Sequence, residues 1–185
     1  MNRFLKQFSL AVASFLLVSL NTASVVPQQS TQQQSASLTN RSLEDVRDLR
    51  RVLLLVFRSG VVEVNSNDRS IIEQVLKADP QPKGGRSIWV YSQIARKLNS
   101  YIRKYKSIKP AYDVEEADFI IYFNIIEYRR LLNTMYPYGE LFVIVKGSPE
   151  LQHPPRVVWK TKKIQWANDA IGELIKDLKT LRGET

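Results

Sequence analysis

Hydrophobic positions follow two different periods along the chain and predict both strands and helices. The run Arg51–Phe57 is short and continuously apolar, which favours a strand covered on both faces. In residues 118–128 both alternating faces are apolar, which predicts a central strand. Further strands are expected at 140–146 and 156–164, and a short one at 61–64.

Two segments have apolar residues three and four positions apart, the spacing of an amphipathic helix. We expect Ser87 to cap the first helix and Lys109-Pro110 to end it, because Pro cannot continue the hydrogen-bond ladder. We expect Asn168 to cap the second helix, which should end before Gly183, where a left-handed residue is usual.

These elements predict an α+β fold with a four- or five-stranded, largely antiparallel sheet. The last three strands should form an antiparallel meander, because connections such as residues 129–139 are too short for crossovers. The two amphipathic helices are the available cover for the apolar sheet. Residues 70–77 are consistent with a further short helix.

The first 24 residues match the three-part pattern of a secretory signal peptide. Arg3 and Lys6 make a positive start, Phe8–Leu20 is mainly apolar, and residues 22–24 are small, as a cleavage site requires. An uncleaved membrane anchor is the alternative, but a helix of that length covers about 20 Å of a ~30 Å hydrocarbon core. We therefore expect export to the periplasm or the medium, with no transmembrane helix in the mature chain.

Residues 25–42 are rich in Gln, Ser and Thr and carry no apolar period. They cannot bury enough surface to offset chain entropy, so we expect a disordered tether. A single folded domain should occupy residues 43–185, as the length of the chain suggests. Removing Arg3 and Lys6 with the signal lowers the net charge from +9 to +7.

Composition excludes several kinds of chemistry. The chain has no Cys and one His, His153. A disulfide framework, a thiolate metal site and lipid attachment at a Cys are therefore excluded, and a Ser/His/Asp triad would depend on that single His. Neither glycine-rich phosphate-loop motif occurs. The sequence accordingly indicates no cofactor and assigns no reaction.

The strongest charge signal is the segment 83–109, which carries eight basic residues and no acidic one. On a helix, Arg96, Lys97, Arg103 and Lys104 fall within about 120° of arc, opposite the apolar face. Such a face attracts polyanions and anionic membrane surfaces, although a solvated outer helix face gives the same pattern. Export argues against intracellular nucleic acid as the partner.

Carboxylates and one apolar connection supply the other candidates. The acidic run 113–118 lacks the glycine-containing spacing of a calcium loop, which favours a solvated turn. Glu127 and Glu140 flank one connection, and carboxylates about 5 to 10 Å apart would serve hydrolysis. The apolar residues within 131–136 of that connection form either an exposed contact patch or a fold back over the core.

The order of elements resembles that of small exported bacterial α/β envelope domains of unassigned function. The resemblance covers about residues 50–182 and is carried by the segment 117–121 entering a strand, the runs Glu140–Val143 and Arg156–Lys160, and a closing helix. The chain departs from the lipoprotein members in having no lipobox Cys, and no functional residue is carried over.

We therefore expect an exported, non-catalytic binding or accessory protein of the envelope or the medium. Its basic helix would contact an anionic envelope component or a partner protein. The alternative is an envelope hydrolase that uses Glu127 and Glu140 as its carboxylate pair.

Overall fold

The computed structural model describes residues 42–58, 68–81, 84–147 and 153–185. The expected signal peptide, the tether up to residue 41 and the short strand expected at 61–64 lie outside these ranges. Within them the fold is α+β, as predicted, and it contains six strands, three α-helices and a short 3₁₀ helix.

The elements follow one another in an order that places most of the helical residues between the first and third strands and at the end of the chain. They are the 3₁₀ helix Leu43–Val46, β1 Arg51–Phe57, α1 Asp68–Leu76, α2 Gly85–Tyr105, β2 Lys109–Pro110, β3 Phe119–Leu131, β4 Thr134–Val145, β5 Arg156–Lys160, β6 Gln165–Trp166 and α3 Ala167–Arg182.

The sheet is mixed, so the prediction of a largely antiparallel sheet is wrong. Its order is β2-β1-β3-β4-β5, and β6 also pairs with β4. β1 runs parallel to β2 and β3, because the connection from β1 to β3 contains α1 and α2 and so forms a crossover. The meander β3-β4-β5 is antiparallel, as predicted. The strand expected at 156–164 ends at Lys160, and the chain returns to the sheet as β6.

Asp118 fixes the start of the parallel pair of β1 and β3. Its Oδ2 accepts hydrogen bonds from the backbone amides of Arg50 and Arg51 at 3.0 and 2.9 Å. Its Oδ1 accepts two more from the Arg51 guanidinium, at 3.2 and 3.1 Å. Burial alone would raise the pKa of Asp118, but these bonds together hold that pKa below its usual value. The carboxylate thereby secures the register in which Val52 lies beside Phe119.

Both faces of the sheet are covered, and each cover includes a different set of helices. Ile94 of α2 and Leu174 of α3 pack in one core with Ile121 of β3. The neighbouring Ile120 points to the opposite face and packs in a second core with Ile71 of α1. The prediction that two helices cover the sheet is therefore incomplete. Because both faces of the sheet are apolar, a third helix, α1, covers the second face.

The two long helices begin at residues other than the predicted caps. α2 begins at Gly85 after Gly84, which has φ 87° and provides no side-chain cap, so Ser87 lies inside the helix. Glycine adopts that φ without steric cost, which lets the chain turn into the helix. α3 begins directly after β6, with Trp166 in the N-cap position, so Asn168 lies inside it.

The ends of these helices were predicted with mixed success. α2 ends at Tyr105, because Lys106 takes the left-handed conformation with φ 57° and its amide bonds to the Ile102 carbonyl. Lys109-Pro110 does not end the helix; it forms β2 at the sheet edge, where a missing N–H is tolerated. α3 ends as predicted, with Gly183 left-handed at φ 65°.

Residues 129–139, predicted as a connection, belong to the arms and the turn of a long hairpin. β3 and β4 stay paired as far as Leu131 and Thr134, with a β-bulge between Ile125 and Glu127. Opposite the bulge the strands approach closely, and a Cβ on Gly139 would overlap backbone of the partner strand. The hairpin leaves the buried sheet near this point, and residues 129–135 are all exposed.

Replacing Asp118 by Asn should lower the free energy of unfolding at pH 7 by about 1–2 kcal/mol, because the charge-assisted bonds to Arg50 and Arg51 become neutral ones. Since the pKa of Asp118 is lowered on folding, its contribution is present above about pH 4 and is lost as the pH falls through the folded value.

Urea unfolding of D118N and wild type at pH 7 and at acidic pH measures this difference. Asp113→Asn is the matched control, because among the described residues the Asp113 carboxylate accepts a single local hydrogen bond, from the Glu116 amide. An equal effect of the two substitutions at pH 7 would show that Asp118 does not secure the strand pair.

A basic surface on α2 and a cleft at its end

We call the four predicted residues Arg96, Lys97, Arg103 and Lys104 the basic face of α2. Arg96 and Arg103 are exposed, and in the described part of the chain their guanidinium groups make no hydrogen bond or ion pair. They lie seven residues apart on one stripe of the helix, which separates them by about 10 Å along its axis. Both groups are therefore open to a partner.

The two lysines of the basic face contact α3 or the end of the chain. Lys97 Nζ donates to the backbone carbonyl of Asn168 at 2.8 Å, beside Gly172. Lys104 Nζ donates to the Thr185 carbonyl at 3.3 Å and lies 4.8 Å from the Tyr105 ring centroid. These contacts hold α2 and α3 side by side in the same direction, which gives the two lysines a structural role.

A cleft of about 460 Å³ lies at the C-terminal end of α2, and we call it the basic cleft. Its lining residues are Arg50, Arg51, Lys106, Ser107 and Lys109. Arg50 Nη1 closes one wall by donating to the Ser107 carbonyl at 3.1 Å. No acidic side chain lines it among the residues that the structure describes.

The cations of the basic cleft differ in their availability to a ligand. The Arg51 guanidinium is held by Asp118, with an N–O distance of 3.1 Å. Lys106 and Lys109 are exposed, and their ammonium groups make no contact with an acceptor in the described part of the chain. Together with the other N–H groups of Arg50, they present donors for an anion.

The basic cleft was not found from the sequence, although its lysines belong to the acid-free basic segment. The cleft forms only because β1 and β2 are parallel neighbours, with Arg51 beside Lys109. That pairing brings the start of β1 to the end of α2. In the sequence, the dibasic pair Arg50-Arg51 at the start of an apolar strand indicates positive charge there. Only the crossover determines that this pair lies next to the end of α2.

The acidic run 113–118 stabilises backbone structure. Glu116 Oε2 accepts from the Tyr112 amide at 3.3 Å, Asp113 Oδ1 accepts from the Glu116 amide at 2.7 Å, and Asp118 holds β1. Within the described ranges no three His, Asp or Glu side chains are grouped as metal ligands would be.

The predicted carboxylate pair is placed in two different environments on the hairpin. Glu127 forms an ion pair with Arg129 and is half-exposed. Glu140 is 5 % exposed and lies opposite Asn124 in the β3–β4 register. Burial raises the pKa of Glu140, and the charge of Lys160 partly offsets this.

A larger cavity, of about 740 Å³, lies between the end of β1 and α1. Its lining mixes apolar side chains such as Phe57 with both charge signs, for example Glu73 and Lys77. The lining of this cavity therefore favours neither an anion nor a cation, whereas the basic cleft favours an anion.

Comparison with known proteins adds no family to this description. No family model, curated protein or solved structure matches the chain. Among the described helices none is long and apolar enough to cross a bilayer. The class that fold and site define is thus an α+β protein with a mixed sheet and a basic cleft. The resemblance to exported envelope domains stays a prediction.

Replacing Glu140 by Gln should stabilise the fold at pH 7, because Gln keeps the size of the side chain and removes the buried charge. Because burial raises the pKa of Glu140, ionisation of this carboxyl destabilises the folded state. The extra stability of the Gln variant should therefore disappear below about pH 4, where Glu140 is neutral in both the folded and the unfolded state.

Urea midpoints of E140Q and wild type at pH 7 and pH 4 test this expectation. Glu127→Gln is the control, because an exposed ion pair contributes at most about 1 kcal/mol. A midpoint for E140Q that is below that of wild type at pH 7 would mean that the ionised carboxylate stabilises this face of the sheet.

Proposed function

We propose that the protein is an exported, non-catalytic binding protein of the cell envelope or the medium, and that its partner is a polyanion. The observation that carries the proposal is the distribution of free cations. Arg96 and Arg103 lie open on a helix without acidic residues, and Arg103 is three residues before Lys106 of the acid-free basic cleft. Arginine is suited to such a partner because its planar fork matches phosphate and carboxylate oxygens.

The spacing of these groups favours an extended anion over a small one. Arg96 and Arg103 are about 10 Å apart along the helix, so a single phosphate cannot contact both. A chain of repeated negative groups spans the basic face and reaches the basic cleft. Each exposed contact is weak by itself, so affinity comes from their sum and falls as salt screens them.

Reversing the two open charges in Arg96→Glu/Arg103→Glu should weaken binding of inorganic polyphosphate by about tenfold or more at low salt. Isothermal titration at low and high ionic strength measures the affinity. The loss should be largest at low salt, because screening already reduces the wild-type contacts at high salt.

Lys162→Glu/Lys163→Glu is the matched control, since it changes the net charge equally at exposed positions beyond β5. A similar loss in both double variants would reduce the effect to net charge and refute a defined surface. Absence of polyphosphate binding by the wild-type protein would refute the proposed partner.

The export component of the proposal predicts a mature N-terminus close to residue 25. Mass spectrometry of the protein recovered from its host measures the mass of the chain directly. Protein in the cytosol with an intact first residue would contradict export and would remove the envelope from the proposal.

Hydrolysis is the second candidate function, and one observation favours it. Glu140 is a buried carboxyl with a raised pKa, as a general acid requires, while Glu127 carries a half-exposed carboxylate nearby in the hairpin. If the protein hydrolyses a substrate found by broad screening, both E140Q and E127Q should abolish turnover. Activity that survives in E140Q would exclude this pair.

A further inference from the structure

The β3–β4 hairpin ends in an apolar tip that extends into solvent. Leu131 is 63 % exposed, Leu132 is 91 % exposed and Met135 is 39 % exposed. The fully exposed part comprises two cross-strand pairs, Arg130–Met135 and Leu131–Thr134, and a two-residue turn. At about 3.3 Å per residue these pairs extend roughly 7 Å beyond the Arg129–Tyr136 pair, in which Tyr136 is half-buried.

The residue at the turn is poorly suited to its backbone conformation. Leu132 has φ 55°, whereas its neighbour Asn133 does not have a positive φ. A two-residue hairpin turn with a positive φ only at its first central position is of the type II′ class, in which glycine is preferred. A leucine costs stability there and gains no packing, since its side chain is almost fully exposed. Such a locally unfavourable residue points to a function for the side chain.

Basic and aromatic side chains lie beside this tip and at its base. The Arg129 guanidinium lies 4.4 Å from the Tyr138 ring centroid, and Arg130 Nε donates to the Leu132 carbonyl at 3.1 Å. The Arg86 guanidinium of α2 lies 5.3 Å from the Tyr128 ring centroid. The neighbouring residues Ile88 and Trp89, at the same end of α2, are also exposed apolar side chains.

The charge balance at this end of the molecule is positive. Within residues 126–139 the sequence has two basic residues and one acidic residue, Glu127. That carboxylate is paired with Arg129. Arg130, beside the turn, and Arg86, behind it, therefore leave an excess of positive charge next to the apolar tip.

We propose that the hairpin tip inserts shallowly into an anionic phospholipid bilayer. Leu131, Leu132 and Met135 would enter the boundary of the hydrocarbon region, with the arginines at the headgroups. The ~7 Å reach lies within the 5–10 Å to which interfacial elements bury their apolar side, and aromatic side chains are favoured at that level.

The size of the tip argues for a bilayer over a protein partner. A stable protein interface buries about 800 Å² on each partner, far more than one turn of three apolar side chains offers. A bilayer needs only a few apolar side chains together with charge attraction. The inference is independent of the proposed polyanion site, which lies in the second half of α2 and at its C-terminal end and uses different residues.

Leu132→Gly is the decisive variant, because it removes the apolar side chain and also fits the positive φ. Sedimentation with vesicles of mixed phosphatidylglycerol and phosphatidylcholine should show about tenfold weaker binding than wild type. The melting temperature should be equal or higher, since glycine relieves the turn. Tyr112→Ser is the matched control, because it removes another side chain that is 80 % exposed, away from the hairpin.

Leu132→Trp provides a local readout that does not depend on other membrane contacts of the chain. Brominated lipids should quench its added emission relative to wild type when anionic vesicles are present, and much less with phosphatidylcholine alone. Unquenched emission from position 132, or L132G binding as tightly as wild type, would overturn the proposal.

The polyanion variants separate this inference from the proposed function. Arg96→Glu/Arg103→Glu should keep the quenching at position 132 while losing polyphosphate binding. L132G should keep polyphosphate binding while losing vesicle binding. Vesicle binding abolished by the arginine reversals and unaffected by L132G would assign membrane attraction to the basic face and refute the hairpin.

Discussion

The parallel pairing of β1 with β3 is the constraint on which the rest of the molecule depends. It requires a crossover, which places α1 on one face of the sheet and α2 on the other. It also brings Arg50 and Arg51 to the end of α2, where the basic cleft forms. Asp118 secures this arrangement by holding both arginine amides at the start of β1. One carboxylate thus couples the topology of the sheet to the geometry of the candidate site.

Local patterns predicted the elements well because they depend on neighbouring residues. The apolar run of β1, the two-sided β3 and the stripe of α3 each carry enough signal to identify a strand or a helix. The pairing of β1 was not predictable in this way, since periodicity does not distinguish parallel from antiparallel neighbours. Residues 129–139 were expected to be a connection, whereas the structure places Pro137 and Gly139 inside the paired hairpin.

The candidate site shows the same division between local and long-range information. Helical periodicity placed Arg96, Lys97, Arg103 and Lys104 on one face, but it could not show that α3 engages Lys97 or that the chain end engages Lys104. The basic cleft joins residues from β1, β2 and the loop after α2, so it exists only in the folded chain. The sequence is sufficient to locate a basic helix. The cleft and its lining residues follow only from the topology of the sheet.

The bulge near Ile125 separates the buried part of the hairpin from its exposed part. Adding or removing two residues in each strand beyond the bulge would change the length of the exposed arm without altering which side chains face the core. An odd number would instead rotate the distal side chains to the opposite face, because strand side chains alternate. Evolution can therefore adjust the length of this arm in steps of two residues per strand, while the sheet behind it stays unchanged.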